Sequence, residues 1–336
     1  MTRILLVFTG GTIGSLNENG NIDLDLNAAF KLISLFQQRY PAADAIQFKT
    51  LRPLQILSEN LHPKDWETLI AAIETENHAE FDGIIITHGT DTLAFSAAAL
   101  GLYFNRLSKP ILLVSSNLPL ENPQANGIPN LIAAVDFIRQ QALPGVFVAY
   151  QNPGSPLHIH QGTRLLSCLP LSGDFISIQS QPLQQYQQGQ FVAFYQPAAS
   201  TPQVLRANFG RRILLIRPYP GLDYRQFKLD GVDAVLHDLY HSGTACTRDD
   251  YGQQHALSAF IRDCRQRQLP VYLAPALYSD SAYNSTRQLL EQGACMIWNQ
   301  TLEVAYAKLL LAYGNHYEPA AITALLSHNL AGEMVR

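Results

Sequence analysis

Two glycine-rich loops in this sequence place hydroxyl side chains directly after apolar runs. The apolar run 4–8 leads into the loop 9–12, of sequence TGGT, and the run 83–86 leads into the segment 87–92, of sequence THGTDT. A hydroxyl nucleophile needs a neighbouring base and backbone N–H groups that hold the oxyanion. Glycine beside such a hydroxyl lets a substrate approach the backbone closely. The two loops therefore contain the residue types that acyl transfer requires.

The chemistry can be assigned to individual residues of the two loops. Thr12 supplies one hydroxyl, and Gly11 and Gly89 supply the close approach to the backbone. Thr90 supplies a second hydroxyl, and the carboxylate of Asp91 stands beside it. Since acyl transfer leaves that carboxylate unused, Asp91 is suited to binding the α-ammonium group of a substrate.

Other interpretations of the first loop fit its residues less well. A dinucleotide-binding turn requires GxGxxG and a P-loop requires a lysine, whereas this loop has Gly10, Gly11 and Gly14 and no lysine. Thr2 as an N-terminal nucleophile would lie at the start of a strand, at the wrong end of a sheet. For the first loop alone, a tight turn with Thr12 as a cap stays an alternative. The second loop favours a reactive site.

Short apolar runs alternate with stretches of helical periodicity along the chain, and this alternation predicts the elements that position the loops. It is typical of a mostly parallel, doubly wound sheet in an α/β fold, in which ligands bind at the carboxyl ends of the strands. The predicted strands are 4–8, 83–87, 110–115, 145–150, 212–217, 234–236 and 270–274. The predicted helices are 63–75, 92–107, 128–141, 254–268 and 281–292.

The alternation breaks between about 177 and 210, where glutamine, proline and small residues predominate. That composition is typical of a linker, with room for a hairpin inside it. We expect a larger N-terminal α/β domain over 1–190 that carries the nucleophile, a linker over 191–210, and a smaller C-terminal α/β domain over 211–336. The length of 336 residues, with 47% apolar residues, suits two domains.

Composition and charge narrow the class of protein further. The formal charge is -4 and the basic residues form no stripe, so we expect no nucleic-acid partner. The run 4–8 is far too short to span a membrane, which favours a cytoplasmic protein without membrane contact. The four cysteines have no CxxC spacing, which argues for reduced thiols and against zinc. They are Cys168, Cys246, Cys264 and Cys295.

The runs 6–14, LVFTGGTIG, and 83–93, GIIITHGTDTL, resemble the two signature motifs of the bacterial L-asparaginases. The chain length, Asp65-Trp66 and the run 329–333 look most like the cytoplasmic type I branch. The resemblance implies an amidohydrolase that converts L-asparagine to L-aspartate and ammonia. It also implies a homodimer or homotetramer whose sites are completed by the neighbouring subunit's second domain, with no cofactor and no metal.

The resemblance also implies roles for single residues. Thr12 matches the nucleophile, which attacks the side-chain amide, releases ammonia and leaves an acyl-enzyme for water to hydrolyse. Thr90 and Asp91 match the residues that assist proton transfer and bind the substrate ammonium. Ser58 matches a serine that binds the α-carboxylate, and Glu59 follows where the family has another polar contact. Two flanking residues, His88 and Thr92, are interpreted as braces of the loop.

The sequence also departs from the family pattern around the expected catalytic groups. Ser167 stands where the family has a lysine, and His158 or His160 is a candidate substitute base. The residues expected to bind the substrate are kept, while the residues expected to assist the catalytic step are altered. Two functions stay open, an asparaginase with weak or shifted activity and a non-catalytic amino-acid binder. The other departures are the hydroxyl-free loop 17–23, Ser115-Ser116-Asn117, Asn126-Gly127 and Ser242-Gly243-Thr244.

Overall fold

The computed structural model describes residues 1–11, 13, 15–18, 21–24, 28–316 and 318–335, with backbone alone for 15–18, 21–24, 28 and 29. The chain forms two compact units, Met1–Ala207 and Asn208–Arg336. The division between them falls inside the segment 191–210. Thr12, the expected nucleophile, and part of the loop 17–23 lie outside the described residues.

Unit 1 is built on an eight-stranded sheet of order β10-β9-β8-β7-β6-β5-β1-β4. The five strands from β7 to β4 run parallel, and β8, β9 and β10 continue the sheet antiparallel. The predicted α/β class with a mostly parallel sheet is confirmed. The strands are β1 Thr2–Phe8, β4 Ile46–Leu51, β5 Gly83–Thr87, β6 Pro110–Val114, β7 Gly145–Gln151, β8 Leu157–Gln161, β9 Gln184–Gln187 and β10 Gln190–Ala193, and a separate hairpin pairs β2 Ser15–Glu18 with β3 Asn21–Leu24.

The helices of unit 1 cover this sheet, and in two of them the sequence explains a local feature, the start of one helix and the burial of another. The second begins at Pro63, where His62 accepts a hydrogen bond from the Lys64 N–H and the Asp65 carboxylate accepts one from the His62 N–H. The third is buried nearly all round, because its small residues let neighbouring backbones pack closely. The helices are α1 Ala28–Arg39, α2 Pro63–Glu74, α3 Leu93–Tyr103 and α4 Gly127–Gln140.

The apolar pattern does not predict the strands outside the central parallel group, namely β4 at one edge and β8, β9 and β10 at the other side. β4 alternates between partly buried and exposed residues over 46–49, as an edge strand with one solvated face requires. β9 and β10 form a hairpin in the glutamine-rich segment, and its two turn residues, Gln188 and Gly189, have φ angles of 50° and 78°. Positive φ at both positions is the requirement of a type I′ turn.

Unit 2 contains a four-stranded parallel sheet of order β11-β12-β13-β14. Its core packs around Val235, Leu257, Leu273 and Leu289. The strands are β11 Ile213–Ile216, β12 Ala234–Asp238, β13 Val271–Ala276 and β14 Cys295–Trp298. The helices are α5 Leu257–Gln266, α6 Asn284–Glu291, α7 Leu302–Asn315 and α8 Pro319–Ser327.

A fully buried ion pair holds the last described residues of unit 2 against α7. Lys308 Nζ donates to Glu333 Oε1 at 2.7 Å, and both side chains have no exposed surface. Lys308 also donates to the side chain of Gln300 and the carbonyl of His328. The Glu333 carboxylate accepts the N–H groups of Leu330 and Ala331. Burial lowers the pKa of Lys308, and the charge of Glu333 opposes that change.

The strand order of unit 1 reverses at β1. The chain passes from β1 to β4 on one side and then returns to β5 on the other side. In open α/β sheets, a crevice opens between the loops at the carboxyl ends of the strands where the order reverses. Both glycine-threonine loops therefore lie at the switch point of the sheet.

The backbones of these loops lie very close together. Gly11 N–H donates to the carbonyl of Ile56 at 3.1 Å, which joins the loop after β1 to the loop after β4. A Cβ added to Gly11 would lie 2.3 Å from the nitrogen of Gly89, and one added to Gly89 would lie 2.4 Å from Ser58 Oγ. Only glycine fits at these two positions, because any side chain would displace the facing backbone or hydroxyl.

We expect Lys308→Met to lower the free energy of unfolding by about 3–5 kcal/mol in urea denaturation, because Glu333 would stay buried without its counter-charge. Arg267→Ala is the control, since it removes an exposed pair with Asp263. The control should cost under about 0.5 kcal/mol. Equal effects of the two substitutions would mean that the buried pair contributes no more than a surface pair.

Gly11→Ala and Gly189→Ala separate backbone strain from steric clash. Both glycines have left-handed backbone, with φ of 81° and 78°, but nothing lies within 4 Å of a Cβ at Gly189. Each substitution should cost roughly 1–2 kcal/mol for the backbone, and Gly11→Ala a further ~1–3 kcal/mol for overpacking against Gly89. Urea denaturation of both variants measures the difference. Indistinguishable midpoints would refute the close approach.

Candidate functional site

Ser58 and Asp91 form a reciprocal hydrogen-bonded pair at the switch point. Ser58 Oγ donates to Asp91 Oδ2 at 2.8 Å and accepts the Asp91 N–H at 3.2 Å. Ser58 is 4% exposed on the turn Ser58–Asn60, whereas Asp91 is exposed at the surface of the loop after β5. The pair thus fixes a carboxylate at the rim of the crevice and leaves part of it open to a ligand.

Three further hydrogen bonds brace the loops that carry this pair. Thr92 Oγ1 donates to the Ser58 carbonyl at 2.9 Å, and Thr9 Oγ1 donates to the Thr87 carbonyl at 2.7 Å. His88 is buried, and its Nδ1 lies 2.7 Å from the carbonyl of Gly89. Because a carbonyl only accepts, Nδ1 carries the hydrogen. Burial lowers the pKa of His88, so the ring is neutral near pH 7.

The other expected site residues lie on the same loops. Gly11 and Gly89 are buried and face each other, and Thr90 is half-buried between Gly89 and Asp91. Glu59 is exposed on the turn next to Ser58. Their side-chain roles stay predictions. The same holds for Thr12, which lies outside the described residues between Gly11 and the buried Ile13.

The loop after β6 is closed by two asparagines that stand out in the sequence only as departures from the family pattern. Asn126 Oδ1 accepts the Asn117 N–H at 2.8 Å, and Asn117 Oδ1 accepts the Asn126 N–H at 3.0 Å. Asn126 Nδ2 also donates to the Gln151 carbonyl at the end of β7. His88 N–H donates to the Val114 carbonyl at the end of β6, so this loop borders the same crevice.

Ser167, in the expected lysine position, lies on an antiparallel hairpin over residues 165–177. Leu165 pairs with Ser177, the Leu166 N–H donates to Ile176 at 3.0 Å, and the Leu169 N–H donates to Asp174 at 2.8 Å. Cys168 follows Ser167 and is half-buried. Burial raises the pKa of the Cys168 thiol, and the charge of Asp91 raises it further. This hairpin therefore comes within electrostatic range of the Ser58–Asp91 pair.

His160 lies on β8 and holds the base of this hairpin. It is 2% exposed, and its Nδ1 lies 2.8 Å from Ser177 Oγ. Burial lowers the pKa of His160 to about 3, and burial also lowers the pKa of His158. Both rings are therefore neutral near pH 7. A bond to the hairpin gives His160 a structural role and weakens the interpretation of that histidine as a substitute base.

The described arrangement combines hydroxyl groups, a carboxylate and tightly packed glycine backbone at one sheet edge. It is suited to holding a cationic amine beside a backbone turn. Among the described residues, no three His, Cys, Asp or Glu side chains cluster as metal ligands. In the same part of the chain, no helix has both the length and the apolar character that crossing a membrane requires.

Comparison with known proteins places this geometry in a family. The family described as "Asparaginase, N-terminal" matches residues 3–199. The L-asparaginase of Thermococcus kodakarensis is 27% identical over 340 residues, which cover 99% of both chains. A glutamyl-tRNA(Gln) amidotransferase subunit of Methanococcus maripaludis is also 27% identical, over 99% of this chain and 81% of that protein.

Solved structures agree with the sequence matches. The thermostable L-asparaginase from Thermococcus kodakarensis superposes with a TM-score of 0.82 at 26% identity, and the match covers 100% of both chains. L-asparaginase I from Vibrio cholerae has the same fold, with a TM-score of 0.75 at 23% identity, over 100% of this chain and 99% of that one. The resemblance to the bacterial type I branch in particular stays a prediction. From the match over residues 3–199, the chain belongs to the asparaginase family.

Proposed function

We propose that this protein is an amidohydrolase that converts L-asparagine, or a closely related small amide, to the acid and ammonia through a threonine acyl-enzyme. The observation that carries the proposal is the Ser58–Asp91 pair, which lies at the switch point beside the Gly11 loop. A carboxylate there gives an amino-acid substrate a partner for its ammonium. The Ser58 hydroxyl has one hydrogen, which Asp91 accepts in the described structure, so Ser58 binds the substrate carboxylate by turning that hydrogen from Asp91 to the substrate. The relatives named as an L-asparaginase and as an amidotransferase subunit support amide chemistry.

In this proposal, Thr12 attacks the amide carbon and Thr90 assists the proton transfer that accompanies attack. The amide nitrogen leaves as ammonia, and water then hydrolyses the acyl ester. The Gly11 N–H already donates to Ile56, so other N–H groups must stabilise the oxyanion. Burial of Gly11 and Gly89 excludes water from one side of the reacting group.

A second function, amino-acid binding with little or no turnover, is favoured by one observation. Ser167 occupies the expected lysine position, and a serine hydroxyl accepts no proton near pH 7 without activation. His160, the buried candidate for a replacement, is bonded to Ser177. Ammonia release from asparagine, glutamine and other small ω-amides, measured alongside calorimetric binding, separates the two functions. Binding without ammonia release would favour the binder.

Further parts of the proposal follow from the family resemblance. We propose a homodimer or homotetramer in the cytoplasm, which light scattering after gel filtration and cell fractionation would test. The chain covers 99% of the Thermococcus kodakarensis relative, which supports a similar activity. Ammonia release by the purified chain alone would show that no second protein is needed.

We expect Thr12→Ala and Thr90→Val each to reduce ammonia release from the best substrate by at least about 10²-fold, because each removes a group that acts in the transition state. Thr68→Val is the control, since that exposed hydroxyl bonds only within α2. Circular dichroism checks that the variants stay folded. Wild-type turnover in Thr12→Ala would exclude Thr12 as the nucleophile.

Ser167→Lys tests whether the altered residue limits turnover. If the hairpin has simply lost a general base, lysine should raise kcat by roughly 10²–10⁴-fold. Substrate KM should change much less, because Ser58 and Asp91 are untouched. His160→Ala serves as the comparison. A harmful Ser167→Lys together with an inactive, folded His160→Ala would instead assign the proton transfer to His160.

A further inference from the structure

Asn152, immediately after β7, makes two hydrogen bonds from its side chain to the backbone of the 165–177 hairpin, as a neighbouring strand would make from its backbone. Its side-chain Nδ2 donates to the Phe175 carbonyl at 2.8 Å, and its Oδ1 accepts the Phe175 N–H at 2.9 Å. In this hairpin, residues 165–169 form the outgoing arm and residues 174–177 form the returning arm. One side-chain amide thus satisfies both backbone groups of Phe175 on the returning arm. Phe175 is 1% exposed, so water cannot replace these bonds easily.

Three other contacts hold the same part of the hairpin. The ring of Phe175 packs edge-on against Tyr150 with 4.7 Å between centroids, and Tyr150 Oη donates to the Gly173 carbonyl at 3.3 Å. Ser177 bonds to His160. The returning arm is therefore anchored to β7 and β8, whereas the outgoing arm, with Ser167 and Cys168, is paired to the returning arm.

The outgoing arm starts beside α3, the helix that follows the Asp91 loop. At its start, a Cβ added to Gly101 on α3 would lie 2.7 Å from Thr163 Cγ2. Gly101 lies eight residues beyond Leu93, the first residue of α3, which is about 12 Å of helix. The stretch from Thr163 to Cys168, which leaves the 3-10 turn Gly162–Arg164, spans at most ~17 Å, so it is long enough to cover that distance. The charge of Asp91 raises the pKa of the Cys168 thiol, which agrees with an arm that runs toward Asp91.

We propose that Asn152 is a positioning residue that seats the 165–177 hairpin, so that Ser167 and Cys168 form a wall of the site beside Asp91. The part of this inference that concerns activity rests on the proposed amidohydrolase function. Asn152 touches no reacting atom. It acts by fixing the arm on which the residue in the expected lysine position stands.

The test compares Asn152→Ala with Asn105→Ala in the full chain. Asn105 bonds backbone groups elsewhere: its Nδ2 donates to the Leu102 and Tyr103 carbonyls, and its Oδ1 accepts the Gln203 N–H. Both variants lose side-chain bonds to the backbone, so both should lower the melting temperature. Only Asn152→Ala should release the hairpin and lower kcat for ammonia release.

Alkylation of Cys168 by iodoacetamide, followed by peptide mass spectrometry, measures without any substrate whether the hairpin is held in place. We expect Asn152→Ala to raise the alkylation rate at Cys168 at least about tenfold and Asn105→Ala to leave it unchanged. The exposed Cys246 is the internal reference in every sample. Asn152→Asp, which keeps the acceptor for the Phe175 N–H and loses the donor, should fall between wild type and alanine.

The outcomes separate this inference from the proposed function. An unchanged rate at Cys168 in Asn152→Ala would overturn the positioning role, whatever the activity. A faster rate with unchanged kcat would overturn the link between the hairpin and the site. If the wild type releases no ammonia, the proposed function fails. In that case a faster alkylation rate at Cys168 in Asn152→Ala still supports the positioning role of Asn152, and an unchanged rate refutes it.

Discussion

Close approach of three backbone loops at the carboxyl edge of the first sheet is the constraint on which the candidate site depends. A Cβ at Gly11 would meet the backbone of Gly89, and a Cβ at Gly89 would meet Ser58 Oγ. The space that two missing side chains leave is filled by a backbone and a hydroxyl. For this reason Ser58 can bond to both the N–H and the carboxylate of Asp91 from a different strand connection.

Features set by local sequence could be predicted without the structure. β1 and β5 read as continuous apolar runs because both faces of these strands are buried. The start of α2 is encoded by Pro63 and the acid at Asp65, which act within one turn. The glycines of the two loops were recognisable because few other residues tolerate such turns. These signals each lie within a few residues of the feature that they predict.

Features that depend on distant partners had no such local signal. Ser58 and Asp91 are separated by 33 residues, and only the family resemblance indicated Ser58. The closure of the loop after β6 by Asn117 and Asn126 could not be predicted, since an asparagine looks alike in a turn and in a buried pair. His160 looked like a candidate base because the sequence does not reveal its bond to Ser177. In each case the role of the residue is decided by a partner that the fold brings to it.

The buried pair of Lys308 and Glu333 has a consequence for how the chain is made. During synthesis α7 emerges before Glu333, and its lysine has no carboxylate to accompany it into the interior. Moving an unpaired ammonium out of water is costly, so the packing of α7 around Lys308 gains its full stability only after Glu333 has been made. Unit 2 therefore completes this ion pair late in synthesis, whereas unit 1 contains neither partner and can fold earlier.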